Sequence, residues 1–183
     1  MITPIDINNF EYEVLRRSFK PERVKVLFIA ESPPPVERRT FFYLAKSGLY
    51  NYTRSAFLNA YENKINSDFL CFFKTIGCYL EDLSSLPSNL KEIKKKAKFY
   101  ISDLSQRIKE DDPQAIIIIG FGIGKLVKKA IEDSGILGKM DESLVFDKVP
   151  FAGNGYQNIY KSEVGIAVKK LILKNILHKP DVV

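Results

Sequence analysis

Apolar residues run almost without interruption at three places along the chain, residues 24–30, 69–73 and 115–119, and residues 143–149 predict a weaker strand. Unbroken hydrophobicity of this length is typical of strands that are buried on both faces, as in a parallel sheet. A Glu-Ser-Pro-Pro-Pro segment ends the first run, and glycine ends the third. The pattern therefore predicts three buried strands and a weaker fourth, with abrupt turns after at least two of them.

Helical periodicity separates the predicted strands. Residues 89–109 carry apolar side chains at steps of three and four, which form one stripe along a helix. Thr53 is the expected N-cap of a shorter helix. Strands separated by helices indicate right-handed crossovers, so the sequence predicts an α/β fold, a three-layer α/β/α sandwich around a four-stranded parallel sheet. The shorter helices are predicted at residues 7–19, 38–46, 53–61, 125–133 and 162–177, and residues 75–88 are predicted to be irregular.

The chain has 183 residues, of which 45% are hydrophobic, and this suits one domain spanning residues 1–183. No run of about 18 apolar residues occurs, so we expect no membrane partner. The first residues lack the basic start and apolar stretch of a signal peptide, and the expected location is the cytoplasm.

Cysteine and histidine are scarce, since Cys71, Cys78 and His178 are the only residues of these types. Zinc sites and iron–sulfur clusters need more thiolates or imidazoles, so we expect no metal cluster and no cofactor. Lys and Arg number 28 against 22 Asp and Glu, which gives a net charge of +6. This excess is compatible with a nucleic-acid partner and also with an ordinary solvated surface. The oligomeric state is left open.

Ligands of parallel sheets bind beyond the carboxyl ends of the strands. Three loops there are rich in glycine or proline: residues 31–36, 120–124 and 150–157. Glu31 follows the first strand directly, with Ser32 and Pro33 next to it in the same loop. A carboxylate at this position could orient or deprotonate a water molecule, or it could cap the loop or a helix N-terminus.

Aromatic residues follow the proline-rich loop, and Phe41 and Phe42 are the candidates for stacking on a base. Such residues also serve as ordinary core, and both interpretations stay open. Gly153 and Gly155 flank Asn154 in the loop after the last strand. Asparagine can hydrogen-bond the edge of a base, whereas a plain glycine turn is the alternative.

The glycines of residues 120–124 meet neither the dinucleotide-binding pattern nor the P-loop pattern, since Leu126 follows Lys125. A tight turn from strand to helix explains them. Lys125 and Lys128 in the next helix are candidates for contacts with a nucleic-acid backbone. The lysines of residues 91–98 predict a solvated helix face or, alternatively, a surface that follows phosphates.

The order of these features resembles the uracil-DNA glycosylase superfamily. Between residues 24 and 177 come a hydrophobic strand, a Glu-Ser-Pro-Pro loop, an aromatic helix, a second strand, an isoleucine-rich strand ending in glycine, and a late loop before the last helix. The resemblance implies a uracil-DNA glycosylase-like fold for the domain. It also implies an activity on nucleic-acid bases, such as base excision or damage recognition.

The resemblance also assigns roles. In that superfamily the motif after the first strand positions or activates water, and Glu31 is the matching polar residue of residues 30–34. An aromatic residue downstream stacks on the flipped base, for which Phe41 or Phe42 is the candidate. The second motif, after the last strand, supplies a histidine or an asparagine, and Asn154 stands in that loop.

The sequence also departs from the superfamily. His178 lies outside the second motif, and residues 72–75 hold no asparagine at the end of the predicted second strand. The four cysteines that hold a cluster in thermophilic branches are missing. The fold is therefore implied, and uracil excision does not follow from the resemblance.

Three functions fit these observations. The first is an enzyme that hydrolyses N-glycosidic bonds of nucleic-acid bases, with Glu31, Phe42 and Asn154 at its site. The second is a binding module on the same fold that holds nucleic acid or a nucleotide without catalysis, partly through Lys125 and Lys128. The third is a small-molecule enzyme that uses the same crevice on an unknown substrate.

Overall fold

The computed structural model describes residues 4–179, with side chains from residue 11 onward. The strands of this part pair side by side in one parallel sheet. An α/β fold with a four-stranded parallel sheet is confirmed. The strands are β1 (Val26–Ala30), β2 (Cys78–Asp82), β3 (Ala115–Ile119) and β4 (Val145–Val149), and their order across the sheet is β2-β1-β3-β4.

The helices of residues 4–179 are α1 (Pro4–Ser18), α2 (Gly48–Ala60), α3 (Phe69–Thr75), α4 (Leu90–Lys95), α5 (Ala97–Asp111), α6 (Gly124–Ser134) and α7 (Gln157–Leu173). α2 packs against α7, and α5 packs against α6. Because β2 and β3 lie on opposite sides of β1, right-handed crossovers place these two pairs on opposite faces of the sheet, consistent with a three-layer sandwich. No helix within residues 4–179 is both long and apolar enough to cross a bilayer.

The two central strands are buried along their whole length, as their unbroken apolar sequences predict. β3 occupies the predicted residues, and β1 and β4 each begin two residues later than predicted. β4 lies at an edge and is partly exposed, with Asp147 in an ion pair with Lys128. β2, at the opposite edge, is buried along its whole length, so position in the sheet does not by itself decide burial.

The prediction of a strand at residues 69–73 is wrong, because these residues begin α3. The side chain of Asp68 accepts hydrogen bonds from two N–H groups of the first turn and so starts the helix. The rings of Phe69 and Phe73 each lie 5.6 Å from the ring of Phe57. A short helix inside an aromatic cluster thus has the same unbroken apolar sequence as a buried strand.

The second strand lies further along, at Cys78–Asp82, in a segment predicted to be irregular. Its last two residues, Glu81 and Asp82, are acidic and yet buried. They face Arg107 and Arg16, which come from α5 and α1. The strand was not predicted because its two acidic residues look solvent-exposed in the sequence. The arginines that neutralise them are distant in sequence.

The predicted helix at residues 38–46 is also wrong. Two separate 3-10 turns occupy this region, Val36–Arg38 and Phe42–Leu44. Arg39 and Ala45 end them in the left-handed conformation, with φ of 47° and 56°. The segment between β1 and α2 is therefore a folded loop, and this loop forms one wall of the site described below.

Thr53 is not an N-cap, because α2 begins earlier than predicted. Ser47 caps this helix, and its side chain accepts a hydrogen bond from the N–H of Tyr50 at 3.0 Å. Thr53 lies inside the helix, where its hydroxyl donates to the C=O of Leu49 at 2.7 Å. A threonine hydroxyl accepts from N–H groups at a helix start and donates to the C=O four residues earlier inside a helix, so the residue type alone did not distinguish the two positions.

The single helix predicted at residues 89–109 is two helices, α4 and α5. The backbone leaves helical geometry at Lys96, with φ of −109° and ψ of 27°. Asn89 and Glu92 form a capping box that starts α4, in which the side-chain oxygen of each residue accepts a hydrogen bond from the backbone N–H of the other. Because of this break, α4 is a separate helix and not the first turns of α5.

Tyr43 covers part of the edge strand β2. Its hydroxyl donates to the C=O of Leu80 at 3.0 Å and accepts from the N–H of the same residue at 2.8 Å. These two backbone groups point away from β1, on the side where residues 4–179 add no further strand to the sheet. The complete burial of this hydroxyl raises the pKa of Tyr43 well above its usual range.

Candidate functional site

A cavity of about 830 Å³ opens where the central strands end. Ala30, Asp82 and Ile119, the last residues of β1, β2 and β3, contribute to its lining. The loop after β1, the segment before α2, the start of α4 and the loop after β4 supply the other walls. The cavity therefore lies where ligands of parallel sheets usually bind.

Glu31 stands at this cavity directly after β1 and is partly buried. Burial raises the pKa of its carboxyl group, and the ammonium group of Lys94 opposes this rise. Its backbone carbonyl accepts a hydrogen bond from the N–H of Ser84 at 3.0 Å. Within the described residues no hydrogen bond or ion pair holds the carboxyl group. The backbone is thus fixed while the carboxyl group is free to meet a ligand or water.

Ser32 and Pro33 also line the cavity. The hydroxyl of Ser32 donates to the C=O of Ser88 at 2.7 Å, and Pro33 is buried. The N–H of Leu83 bonds the C=O of Ala30 at 2.8 Å, so the loops after β1 and β2 run side by side. This mutual bonding fixes the proline-rich loop at the site.

Phe41 and Phe42 line the cavity although they are only 1% and 2% exposed. Phe41 stacks on Tyr12, with 4.4 Å between ring centroids, and Phe42 meets the ring of Tyr43 edge-on at 5.1 Å. Both rings therefore belong to the core and also give the cavity an apolar wall. Stacking of a base on either ring stays a prediction.

Asp82 is a candidate that sequence reasoning missed, because its strand was placed elsewhere. It lines the same cavity as Glu31, and Nη2 of Arg16 donates to its Oδ2 at 2.5 Å. Burial raises the pKa of Asp82 to about 6, although the Arg16 guanidinium opposes this rise. Glu31 and Asp82 are thus two carboxyl groups of the site whose pKa values are raised by burial.

A second arginine holds the backbone at the end of β2. Arg107 forms an ion pair with Glu81 and donates to the C=O of Asp82 at 3.0 Å. Nε of Arg16 is buried and has no hydrogen-bond partner within the described residues. Among the same residues, no three His, Cys, Asp or Glu side chains form a group that could hold a metal ion.

The loop after β4 is divided between the cavity and the surface. Phe151 and Ala152 line the cavity, whereas Gly153, Asn154 and Gly155 are not among its lining residues. Asn154 and Gly155 adopt positive φ, 52° and 87°, as the sequence led us to expect of a glycine-rich turn. Asn154 is exposed beside the cavity, and its contact with a base stays a prediction.

Lys125 and Lys128 are exposed on α6, and neither lines the cavity. The ammonium group of Lys128 pairs with the carboxylate of Asp147. This pairing lowers the pKa of Asp147 and partly neutralises the lysine. The predicted contact of these two lysines with a nucleic-acid backbone stays a prediction.

No protein-family model matches this protein, and no curated protein or solved structure matches it either. The class that the fold defines is an α/β protein with a parallel sheet and a cavity at the carboxyl ends of its central strands. A fold of this class hosts many functions, so the chemistry of the cavity is what bears on the function of this protein.

Proposed function

We propose that this is a uracil-DNA glycosylase-like protein that takes a nucleic-acid base into the cavity and hydrolyses its N-glycosidic bond. The observation that carries the proposal is the placement of Glu31. A partly buried carboxyl group without a hydrogen-bond partner among the described residues stands at a cavity that Phe41 and Phe42 line with apolar surface. A flat, largely apolar ligand with polar edges suits such a lining.

Glu31 acts as the general base in this proposal. Its carboxylate takes a proton from water as the oxygen attacks the anomeric carbon of the sugar. The bond between that carbon and the base nitrogen breaks, its electron pair stays with the base, and the departing base takes up a proton. The raised pKa of Glu31 suits this role, because a stronger base removes a proton more readily.

Asp82 contributes recognition. It ends the second strand, where the superfamily carries the asparagine that reads the base, and it places a carboxyl group there instead. An ionised carboxylate accepts hydrogen bonds and donates none, so it favours a base edge that carries N–H groups. The carboxylate therefore predicts a base preference that differs from one set by an asparagine.

The test is incubation with oligonucleotides that contain uracil, hypoxanthine or mismatched bases, followed by alkaline cleavage at abasic sites. We expect strand cleavage with at least one of these substrates, and cleavage slowed about 100-fold or more with Glu31→Gln. Glu37→Gln is the matched control, because Glu37 is an exposed glutamate of the same loop region that does not line the cavity. This control should cleave as the unaltered protein does.

Equilibrium binding separates the two nucleic-acid functions. If the folded protein binds these oligonucleotides and releases no base from any of them, the catalytic proposal fails and a binding module remains. If free bases and nucleosides also leave the melting temperature unchanged, the assignment of the cavity to a base fails as well.

A further inference from the structure

Five exposed lysines lie beside the cavity, in α4, in the turn that follows it and at the start of α5. Asn89 and Glu92 of this segment line the cavity itself, so the lysines begin at its rim. Leu90 packs on the loop after β3, where a Cβ atom at Gly122 would lie 2.7 Å from its side chain. The segment is therefore anchored against the site. We name as the lysine surface the residues Lys91, Lys94, Lys95, Lys96 and Lys98.

The charges of the lysine surface are not neutralised locally. None of these lysines forms an ion pair within the described residues, whereas Lys129 on α6 pairs with Asp133 at 2.7 Å. Glu92 is the single acidic residue among residues 89–98, and its carboxylate accepts a hydrogen bond from the N–H of Asn89. Clustered positive charge without acidic partners attracts polyanions.

An exposed aromatic side chain adjoins this charge. Phe99 follows Lys98 directly and is 65% exposed, although a large apolar side chain gains by burial. Single strands bind to surfaces that combine lysine or arginine with aromatic rings, since unpaired bases can stack there. A duplex hides the faces of its bases, so Phe99 favours a single strand as the partner.

The positive charges of the lysine surface extend towards the cavity. Lys94 lies close enough to Glu31 for its charge to oppose the burial that raises the pKa of that carboxyl group. Arg38, another exposed cation, lines the cavity on the side of the loop after β1. A strand that follows these positive charges would pass the cavity mouth.

We propose that the lysine surface binds the phosphates of single-stranded nucleic acid, with a base stacked on Phe99, and presents a neighbouring nucleotide to the cavity. The presentation step rests on the proposed function, whereas the binding step does not. The substrate class is accordingly polymeric and single-stranded, rather than a free nucleoside.

The test measures the affinity of a labelled oligothymidylate for the full-length protein between roughly 50 and 200 mM salt. The variant is Lys91→Ala, Lys94→Ala and Lys95→Ala combined. Loss of three phosphate contacts should weaken binding and reduce the slope of log affinity against log salt by about 2. A second variant, Phe99→Leu, should weaken binding to oligothymidylate and leave binding to an abasic strand of equal length unchanged.

The matched control removes the same charge at the end of the sheet where the strands begin, opposite to the cavity, with Lys109→Ala, Lys139→Ala and Lys179→Ala combined. All three lysines are exposed. Lys109 lies near the end of α5, and Lys139 lies between α6 and β4. Lys179 follows His178, which contacts Lys25 ahead of β1. We expect affinity and slope close to those of the unaltered protein. An equal loss in this control would reduce the effect to net charge and overturn the proposal.

Two further results would overturn it: unchanged affinity and slope in the lysine variant, or equal affinity of the unaltered protein for a duplex of the same length. Failure of the proposed function gives a different result from failure of the lysine surface. If the unaltered protein releases no base and the lysine variant still loses binding, the catalytic step fails and the lysine surface stands.

Discussion

Two carboxyl groups stand at the ends of neighbouring strands, and they differ in what surrounds them. Asp82 is buried against Arg16, and Arg107 holds its backbone. Glu31 is partly exposed and has no ion pair within the described residues. Burial raises the pKa of both groups, but only Asp82 contacts a counter-charge. The comparison separates a carboxyl group that an arginine holds in place at the cavity from one that no side chain of the described residues holds.

The largest effect should come from removing the counter-charge. Arg16→Met leaves Asp82 buried without its partner, and we expect the free energy of unfolding to fall by about 3–5 kcal/mol at neutral pH. Urea unfolding measures this loss. Arg17→Met is the control, because Arg17 is exposed and pairs with Glu13, and it should cost less than about 1 kcal/mol. Equal losses would show that the buried pair is unimportant.

Glu31 should dominate the rate rather than the stability. Base release by the unaltered protein should increase with pH as this carboxyl group loses its proton, and the transition should lie above that of an ordinary glutamate. Glu31→Gln should lower the rate about 100-fold or more and remove this pH dependence. Initial rates across the acidic range measure both effects. An unchanged pH profile in the variant would assign the base to another group.

Asp82 should reveal itself through the pH dependence of stability. Its pKa is about 6 in the folded protein and near 3.8 in the unfolded state, so the folded state binds more protons between these values. Its contribution to stability is therefore complete below about pH 4 and is lost as the pH rises towards 6. Over this window the unaltered protein should lose on the order of 2 kcal/mol relative to Asp82→Asn. A constant difference between the two proteins would contradict this.

The smallest effect should follow Lys94→Ala. The ammonium group opposes the rise of the pKa of Glu31, so its removal should shift the pH profile of base release to higher pH. Lys109→Ala should leave the profile in place, because Lys109 lies near the end of α5, at the end of the sheet where the strands begin. A shift of equal size in both variants would indicate a change in net charge only.

The central strands could be predicted from sequence because burial on both faces leaves an unbroken apolar run. β3 lies where it was predicted, and Glu31 lies at the cavity because it directly follows β1. Residues 69–73 carry the same kind of run and form a helix, since a run of five residues does not distinguish a short buried helix from a strand. A local apolar pattern thus predicts that a segment is buried more securely than it predicts whether the segment is a helix or a strand.

The second carboxyl group could not be predicted, for a physical reason. Asp82 looks like a surface residue until Arg16, which lies far from it in sequence, is brought beside it by the fold. Asn154 shows the opposite case, because its glycine-flanked turn was expected and the structure leaves it exposed beside the cavity. Local sequence specified the shape of that turn but not its distance from the cavity.

The hydrogen bonds between Tyr43 and Leu80 join the cavity wall to the edge strand β2. An uncovered edge strand offers its free N–H and C=O groups to strands of other molecules and so favours aggregation. The tyrosine occupies those groups on β2 and comes directly after Phe42, which lines the cavity. Displacing this wall to enlarge the cavity would therefore also expose the N–H and C=O of Leu80 on the edge strand. Solubility, and not only ligand choice, limits how far this segment of the protein is free to vary.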